Sequence, residues 1–270
     1  MTTDTPIYNS GRGTWLYRQT SKFQYRASII EVRLPTGYDP VHCYPVVYLL
    51  PCEAGEGHQF GDPIIELLML SADLTNRAIF VRPTFDTLPW YAHHACDTHI
   101  RHDAYLMTEV IPLVESQFAT SGAKGRLLLG FSKSGWGAFS LIARYPDYFK
   151  AAASWDAPLL MDEACFGAYG TAGHFGTSTH FAGYCPPVLF RGNPQPFRQL
   201  TRIVLAGQQL FGAECMPSGE GECHTACMHQ LFTELGITHH FHNDLIFPHR
   251  WHAGWMEPEL QQLLAIAENA

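Results

Sequence analysis

Residues 126–138 read Arg126-Leu-Leu-Leu-Gly130-Phe131-Ser132-Lys133-Ser134-Gly135-Trp136-Gly137-Ala138. An apolar run the length of a buried strand leads into a cluster of small residues, then into a helical stretch that continues through Leu141 and stops before Pro146. A serine at the apex of such a strand–turn–helix is the setting of a nucleophile elbow. The turn holds the serine in a strained backbone conformation, and its neighbours must be small because strand end and helix start nearly touch. Gly130, Ser134 and Gly135 meet that demand, with Ser134 standing where the G-x-S-x-G pattern has its second glycine. The bland alternative is a turn that merely allows close packing or cradles an anion at the helix N-terminus. Neither G-x-x-x-x-G-K-[ST] nor G-x-G-x-x-G is present, which argues against a phosphate cradle.

Outward from this stretch, short apolar runs alternate with amphipathic ones, the βαβ pattern of a mostly parallel sheet covered by helices on both faces. The candidate strands are Ala27–Arg33, Val46–Leu50, Ala78–Arg82, Arg126–Leu129, Ala151–Trp155, Arg202–Ala206 and Thr238–His242, with an antiparallel edge strand around Trp15–Gln24. Asp62 and Pro63 fit the N-cap and first position of a helix through Ile64, Ile65, Leu67 and Leu68. A second helix spans about Asp103 to Phe118, with a kink at Pro112. The last runs from about Pro258. Residues 157–200 are rich in Gly, Pro and aromatics with weak periodicity, and read as a lid or substrate wall.

With 270 residues, 46% of them hydrophobic and 16% charged, the chain has ample apolar surface for one large domain over 1–270. The formal charge of −8, without a Lys/Arg cluster, argues against nucleic-acid or anionic-membrane partners and fits a small-molecule substrate. The start, MTTDTPIYNSGRG, has neither the basic nor the apolar part of a secretory signal, so the expectation is a cytoplasmic protein whose eight cysteines are mostly reduced thiols.

From Tyr44 to Trp255 the chain resembles the "putative esterase" family of α/β hydrolases, which includes feruloyl and enterochelin esterases, S-formylglutathione hydrolase and mycolyltransferases. YPVVYLLP is similar to that family's third strand, PWYAHH to the loop after its fourth, HDAYLMTEVIPLVESQF to its long helix, and GFSKSGWGAFSLIARYPDYF to its elbow and following helix. The resemblance implies an α/β-hydrolase fold and a serine carboxylic-ester hydrolase working through an acyl-enzyme, without a cofactor or metal. Ser132 is then the nucleophile. One oxyanion-hole donor is the amide of Lys133, and the other comes from the loop Pro51-Cys52-Glu53-Ala54-Gly55, near Glu53, where the family often has His-Gly. The family's H-x-[FW] pattern fits His249 with Trp251 as the base, and His252 is the alternative. The loop after the seventh strand has no acid until Glu214, whereas Asp156 ends the sixth, where some lipases and glucuronoyl esterases carry theirs. Asp156 is therefore the chosen acid, against the bland reading that it caps a turn with Pro158.

Trp90, Tyr91, Trp136 and Trp155 fall at or near strand ends on the same side, with His174, Phe175 and Phe181 in the lid. They suggest an aromatic pocket for esters of bulky or aromatic acids, or simply core packing. Three other functions stay open: an acyltransferase, in which another alcohol resolves the acyl-enzyme, a non-catalytic binding protein, and a metal protein. The last rests on Cys223-His224-Thr225-Ala226-Cys227 with Cys215 and His229, but C-x-x-x-C on a helix offers only two ligands per face.

Overall fold

The computed structural model describes residues 2–70, 72–207, 210–211, 222–242 and 247–268. Its strands are β1 (Thr2–Thr3), β2 (Ile7–Asn9), β3 (Thr14–Thr20), β4 (Ser28–Arg33), β5 (Val46–Leu50), β6 (Ile79–Pro83), β7 (Arg126–Phe131), β8 (Ala151–Trp155), β9 (Ile203–Ala206), β10 (Leu210–Phe211), β11 (Glu222–Cys223) and β12 (His239–His242). All but β10 and β11, which pair with each other, join one ten-stranded sheet in the order β1-β3-β4-β6-β5-β7-β8-β9-β12, with β2 also on β3. From β6 to β12 the pairs are parallel; from β4 outward they are antiparallel.

Every residue of β5, β6, β8 and β9 is buried, which explains why their sequences are apolar apart from Arg82 and Ser154. Alternate side chains serve two cores. Tyr48, Leu50 and Leu128 pack with Trp136, Phe139 and Phe232 on one face. Val47, Leu49, Leu127 and Phe131 pack with Ile64, Leu260 and Leu263 on the other.

Helices α1 (Pro63–Met69) and α10 (Met256–Glu268) cover that second face, while α2 (Ala72–Thr75) is a single turn. Asp62 caps α1 as its sequence implies, its Oδ1 accepting from Ile64 N–H at 2.9 Å. The helix expected around Asp103–Phe118 starts one residue earlier, as α3 (His102–Tyr105), and ends as α4 (Ile111–Gln117). Between them Leu106–Val110 form a π turn, in which Ile111 N–H bonds to Leu106 O. This is where the kink at Pro112 is absorbed: proline cannot donate and its ring crowds the preceding turn, so the helix widens ahead of it. The phenol of Tyr148 donates to Met107 O in that turn at 2.9 Å.

The edge strand stops at Thr20, short of the expected Gln24, and Ser21 Oγ accepts from Phe23 N–H at 3.0 Å as the chain turns. Helix α5 (Lys133–Arg144) follows β7 directly. The aromatic segment after β8 folds into α6 (Thr171–Phe175), α7 (Ser178–Ala182) and α8 (Pro186–Gly192), with Phe175, Phe181 and Phe190 fully buried, before α9 (His224–Leu235). It is thus a packed wall. No helix among the described residues is long and apolar enough to cross a membrane.

His102, at the start of α3, is 1% exposed. Trp90 N–H donates to its Nδ1 at 3.3 Å, and Nε2 lies 2.9 Å from Thr87 Oγ1. Burial pushes its pKa from 6.5 down to about 3. Across that interval the unfolded chain binds a proton that the folded chain refuses. This contribution to stability is therefore complete above pH ~6.5 and is lost at about 1.4 kcal/mol per unit as pH falls. Urea denaturation at pH 7 and pH 5 tests it: wild type should lose about 2 kcal/mol more than His102→Gln over that step. Equal losses would exclude His102 as the responsible group.

Candidate active site

Ser132 sits between β7 and α5 with φ 56° and ψ −128°, a region that side-chain-bearing residues rarely occupy. Such a conformation costs roughly 1–3 kcal/mol and persists only where its surroundings over-determine it. Here Ser132 N–H donates to Trp155 O at 3.0 Å, and Ser132 O accepts from Gly135 N–H at 2.9 Å and Trp136 N–H at 3.2 Å. Ser134 Oγ both accepts from Phe131 N–H and donates to Phe131 O, each at 2.8 Å. Its hydroxyl pins the turn from inside, and a second glycine at that position is unnecessary. The glycines that matter are Gly130, where a Cβ would meet the Ser134 carbonyl, and Gly135, where one would lie 2.5 Å from Ser154 Oγ.

The sheet register brings Asp156 to the same edge. Phe131 pairs with Trp155, so Asp156 follows β8 just as Ser132 follows β7. Asp156 is 3% exposed, has φ 48°, and donates its N–H to Ala206 O at 2.9 Å. Gly207, at φ 108°, lets β9 end against it, since a Cβ there would lie 2.6 Å from Asp156 Cα. Asp156 Oδ2 lies 2.8 Å from His249 Nδ1.

The His249 ring rests on that of Phe131, with centroids 4.4 Å apart, and Phe60 meets it edge-on at 5.8 Å. The imidazole is thus fixed beside the residue preceding Ser132. With Nδ1 on the carboxylate, Nε2 lies on the other side of the ring. His252 is exposed and packs against Gly61 near Glu66, on the side of α1.

An aromatic stack that sequence reasoning missed holds this segment. Trp155 stacks on Trp255 at 5.3 Å and 4°, Trp251 contacts Phe131 and Trp255, Trp251 N–H donates to Phe60 O at 2.7 Å, and Trp255 Nε1 donates to Arg250 O at 2.8 Å. The signal was present in Trp251 and Trp255, both within six residues after His249.

Lys133 opens α5, half-buried, placing its amide at the helix N-terminus beside Ser132. In the loop after β5, the Glu53 carboxylate accepts from Gln59 N–H at 2.9 Å and Phe60 N–H at 3.3 Å, and Gly55 N–H donates to Phe85 O at 2.6 Å. The loop is therefore tied down. Cys52 within it is no nucleophile, because burial pushes its thiol up to about 12. His174 from the wall is half-buried and lies close enough to Lys133 for its charge to be felt.

The expected aromatic pocket is corrected. Trp90, Tyr91, Trp136 and Trp155 are at most 1% exposed and have no surface to offer a bound molecule. Trp90 and Trp136 pack edge-on at 5.2 Å, and Trp136 stacks on Phe181 at 6.1 Å. Tyr91 Oη donates to Pro51 O at 2.6 Å. Glu214 and Cys215 lie outside the described residues. Among the described residues no group of three or more His, Cys, Asp or Glu side chains could hold a metal ion, and Cys43, Cys52, Cys96, Cys165, Cys185 and Cys223 are free thiols.

The sequence profile of the family described as "Putative esterase" matches residues 25–167, just over half of the chain. A search of curated proteins finds no match. Among solved structures, the fold is similar to an S-formylglutathione hydrolase from Agrobacterium tumefaciens, with TM-score 0.71, 13% identity and 99% of both chains covered. It is also similar to a ferulic acid esterase, with TM-score 0.64, 17% identity, and 93% of this chain and 96% of the other covered. The fluorophosphonate-binding serine hydrolase F of Staphylococcus aureus aligns with TM-score 0.68 and 13% identity over 93% of this chain and 96% of its own.

The elbow geometry makes a prediction about stability. Gly130→Ala drives a methyl group into backbone and should cost about 3 kcal/mol. Ser134→Ala leaves two backbone groups of Phe131 without their partner and should cost about 1–3 kcal/mol while retaining most activity. Urea denaturation of the two variants checks the order, and a more stable Gly130→Ala than Ser134→Ala would contradict it.

Proposed function

Because the chain belongs to the "Putative esterase" family and is thereby a carboxylic-ester hydrolase, we propose that it works through an acyl-enzyme with Ser132 as nucleophile, His249 as base and Asp156 as the acid that orients it. The observation that carries this reading is the 2.8 Å contact of Asp156 Oδ2 with His249 Nδ1, at the sheet edge where Ser132 occupies its strained turn.

In the first half-reaction Ser132 Oγ adds to the ester carbonyl carbon as its proton passes to His249 Nε2. The Asp156 carboxylate stabilises the imidazolium and holds the tautomer. The carbonyl oxygen becomes an oxyanion, taken by the amides of Lys133 and Glu53, each donor worth about 10²–10³ in turnover. Collapse breaks the C–O bond to the leaving alcohol, which receives the proton from His249. Water then adds to the acyl carbon as its proton passes to His249 Nε2, and collapse breaks the bond to Ser132 Oγ, which receives that proton as the acid is released.

The substrate in this reading is a small-molecule carboxylic ester. A preference for aromatic acids is not carried forward, because Trp90, Tyr91, Trp136, Trp155, Phe175 and Phe181, which suggested it, are buried.

Labelling with a fluorophosphonate probe tests the nucleophile. Wild type should be labelled and Ser132→Ala should not, with the fold unchanged by circular dichroism. On p-nitrophenyl esters, His249→Ala should lose three or more decades of turnover, and Asp156→Asn about 10⁴-fold. His252→Ala should lose much less. Near-native turnover in Asp156→Asn would remove the acid from this site.

A further inference from the structure

Tyr91 combines three features that a packing residue does not need. It is fully buried yet has φ 54°, a left-handed conformation that costs a bulky side chain free energy. Its phenol donates to Pro51 O at 2.6 Å, at the root of the loop that leads into Cys52 and Glu53. Its ring lies so close over Gly137, one turn into α5, that no Cβ fits there. One side chain therefore touches both the helix that begins at Lys133 and the loop that carries Glu53.

The surroundings hold it in that pose. Arg144 Nη2 donates to the Tyr91 carbonyl at 2.6 Å, and Arg144 Nη1 donates to the buried Asp103 Oδ2 at 2.8 Å. Phe85, whose carbonyl accepts from Gly55 N–H in the same loop, meets the Tyr91 ring edge-on at 5.2 Å. Arg144 closes α5, so the helix that starts at the nucleophile turn reaches back from its far end to fix Tyr91.

We infer that Tyr91 is a positioning residue for the oxyanion hole, setting the separation of the Lys133 and Glu53 amides by bracing the loop 51–57 against α5. This deepens the acyl-enzyme reading and rests on it. Two amides on separate segments stabilise one developing charge only if their spacing is held to about half an ångström. The hole's two halves are carried by different elements, β5 and α5, and Tyr91 bridges them by a directional bond on one side and a steric notch on the other. Losing the hydroxyl loosens the loop without emptying the site. The charge to be stabilised exists only beyond the ground state, so the loss falls on kcat and spares KM.

The test is Tyr91→Phe, which keeps the ring, compared with Tyr148→Phe, which removes a phenol–carbonyl bond at the π turn instead. For Tyr91→Phe, kcat on p-nitrophenyl esters should fall about 10–100-fold with KM within about twofold, and hydrogen exchange of the amides of residues 52–57 should quicken. Tyr148→Phe should keep kcat and leave that exchange unchanged. Wild-type kcat in Tyr91→Phe, equal losses in the two variants, or unaltered exchange in the loop would each overturn the inference. If wild type is neither labelled by fluorophosphonate nor able to hydrolyse any ester, the acyl-enzyme reading fails, and with it the oxyanion role of Tyr91. Faster exchange in Tyr91→Phe would then show a brace of the loop alone.

Discussion

Between β7 and the first turn of α5 there is room at Gly130 for a hydrogen atom and nothing larger. That contact forces the chain through its reversal at Ser132 and starts α5 at the very next residue, so the Lys133 amide arrives at the turn with the helix N-terminus behind it. It also fixes where the neighbours end. With Phe131 paired to Trp155, and Ser132 N–H bonded to Trp155 O, the residue after β8 can only emerge beside the serine. Asp156 then continues the ladder by donating to Ala206 on β9. A parallel register in a fully buried sheet, more than any loop, places the serine and the carboxylate at one edge.

His249 is held differently. It belongs to a segment outside the regular elements, and its orientation comes from flat surfaces: Phe131 beneath it, Phe60 across it, and the tryptophan stack of Trp155, Trp251 and Trp255 under the chain that carries it. Offset and edge-on ring pairs add about 0.5–1.5 kcal/mol each beyond the area they bury. They also resist sliding, and so keep the histidine-bearing segment in register with β8. Because Trp155 is the last residue of β8, the same stack sits under both partners of the Asp156–His249 contact.

Much of this was legible from the sequence where one physical effect dominates. Val46–Leu50 and Ala151–Trp155 were read to the residue because strands buried on both faces have uniform apolar sequences bounded by turns. Asp62 and Pro63 were read because capping is a local interaction. The choice of Asp156 and His249 rested on the resemblance, which offers an H-x-[FW] histidine and in some lipases an acid after the sixth strand, together with chain order and the lack of an acid in the first residues after β9. The illegible parts depend on what faces what. A tryptophan at a strand end has the same sequence signature whether it lines a cleft or lies under the neighbouring helix, and Trp90, Trp136 and Trp155 took the second course. Tyr91 and Asp156 adopt positive φ without being glycine, a cost that nothing in their flanking residues announces. The wall after β8 hides its short helices because single turns rich in Gly and Pro carry too few residues to show a period.

The carboxylate that meets His249 comes from the end of β8, while β9 and the residue after it offer Asp156 backbone: the Ala206 carbonyl and Gly207. This divides labour in a way that bears on divergence. Residues 208–223, between β9 and α9, supply neither partner of that contact, so selection on the contact itself does not reach them. Relatives sharing this arrangement can lengthen, shorten or exchange that stretch and keep the same chemistry, provided Gly207 remains glycine. Variation among descendants of this sequence should therefore accumulate just after β9, where an acid-bearing loop would have forbidden it.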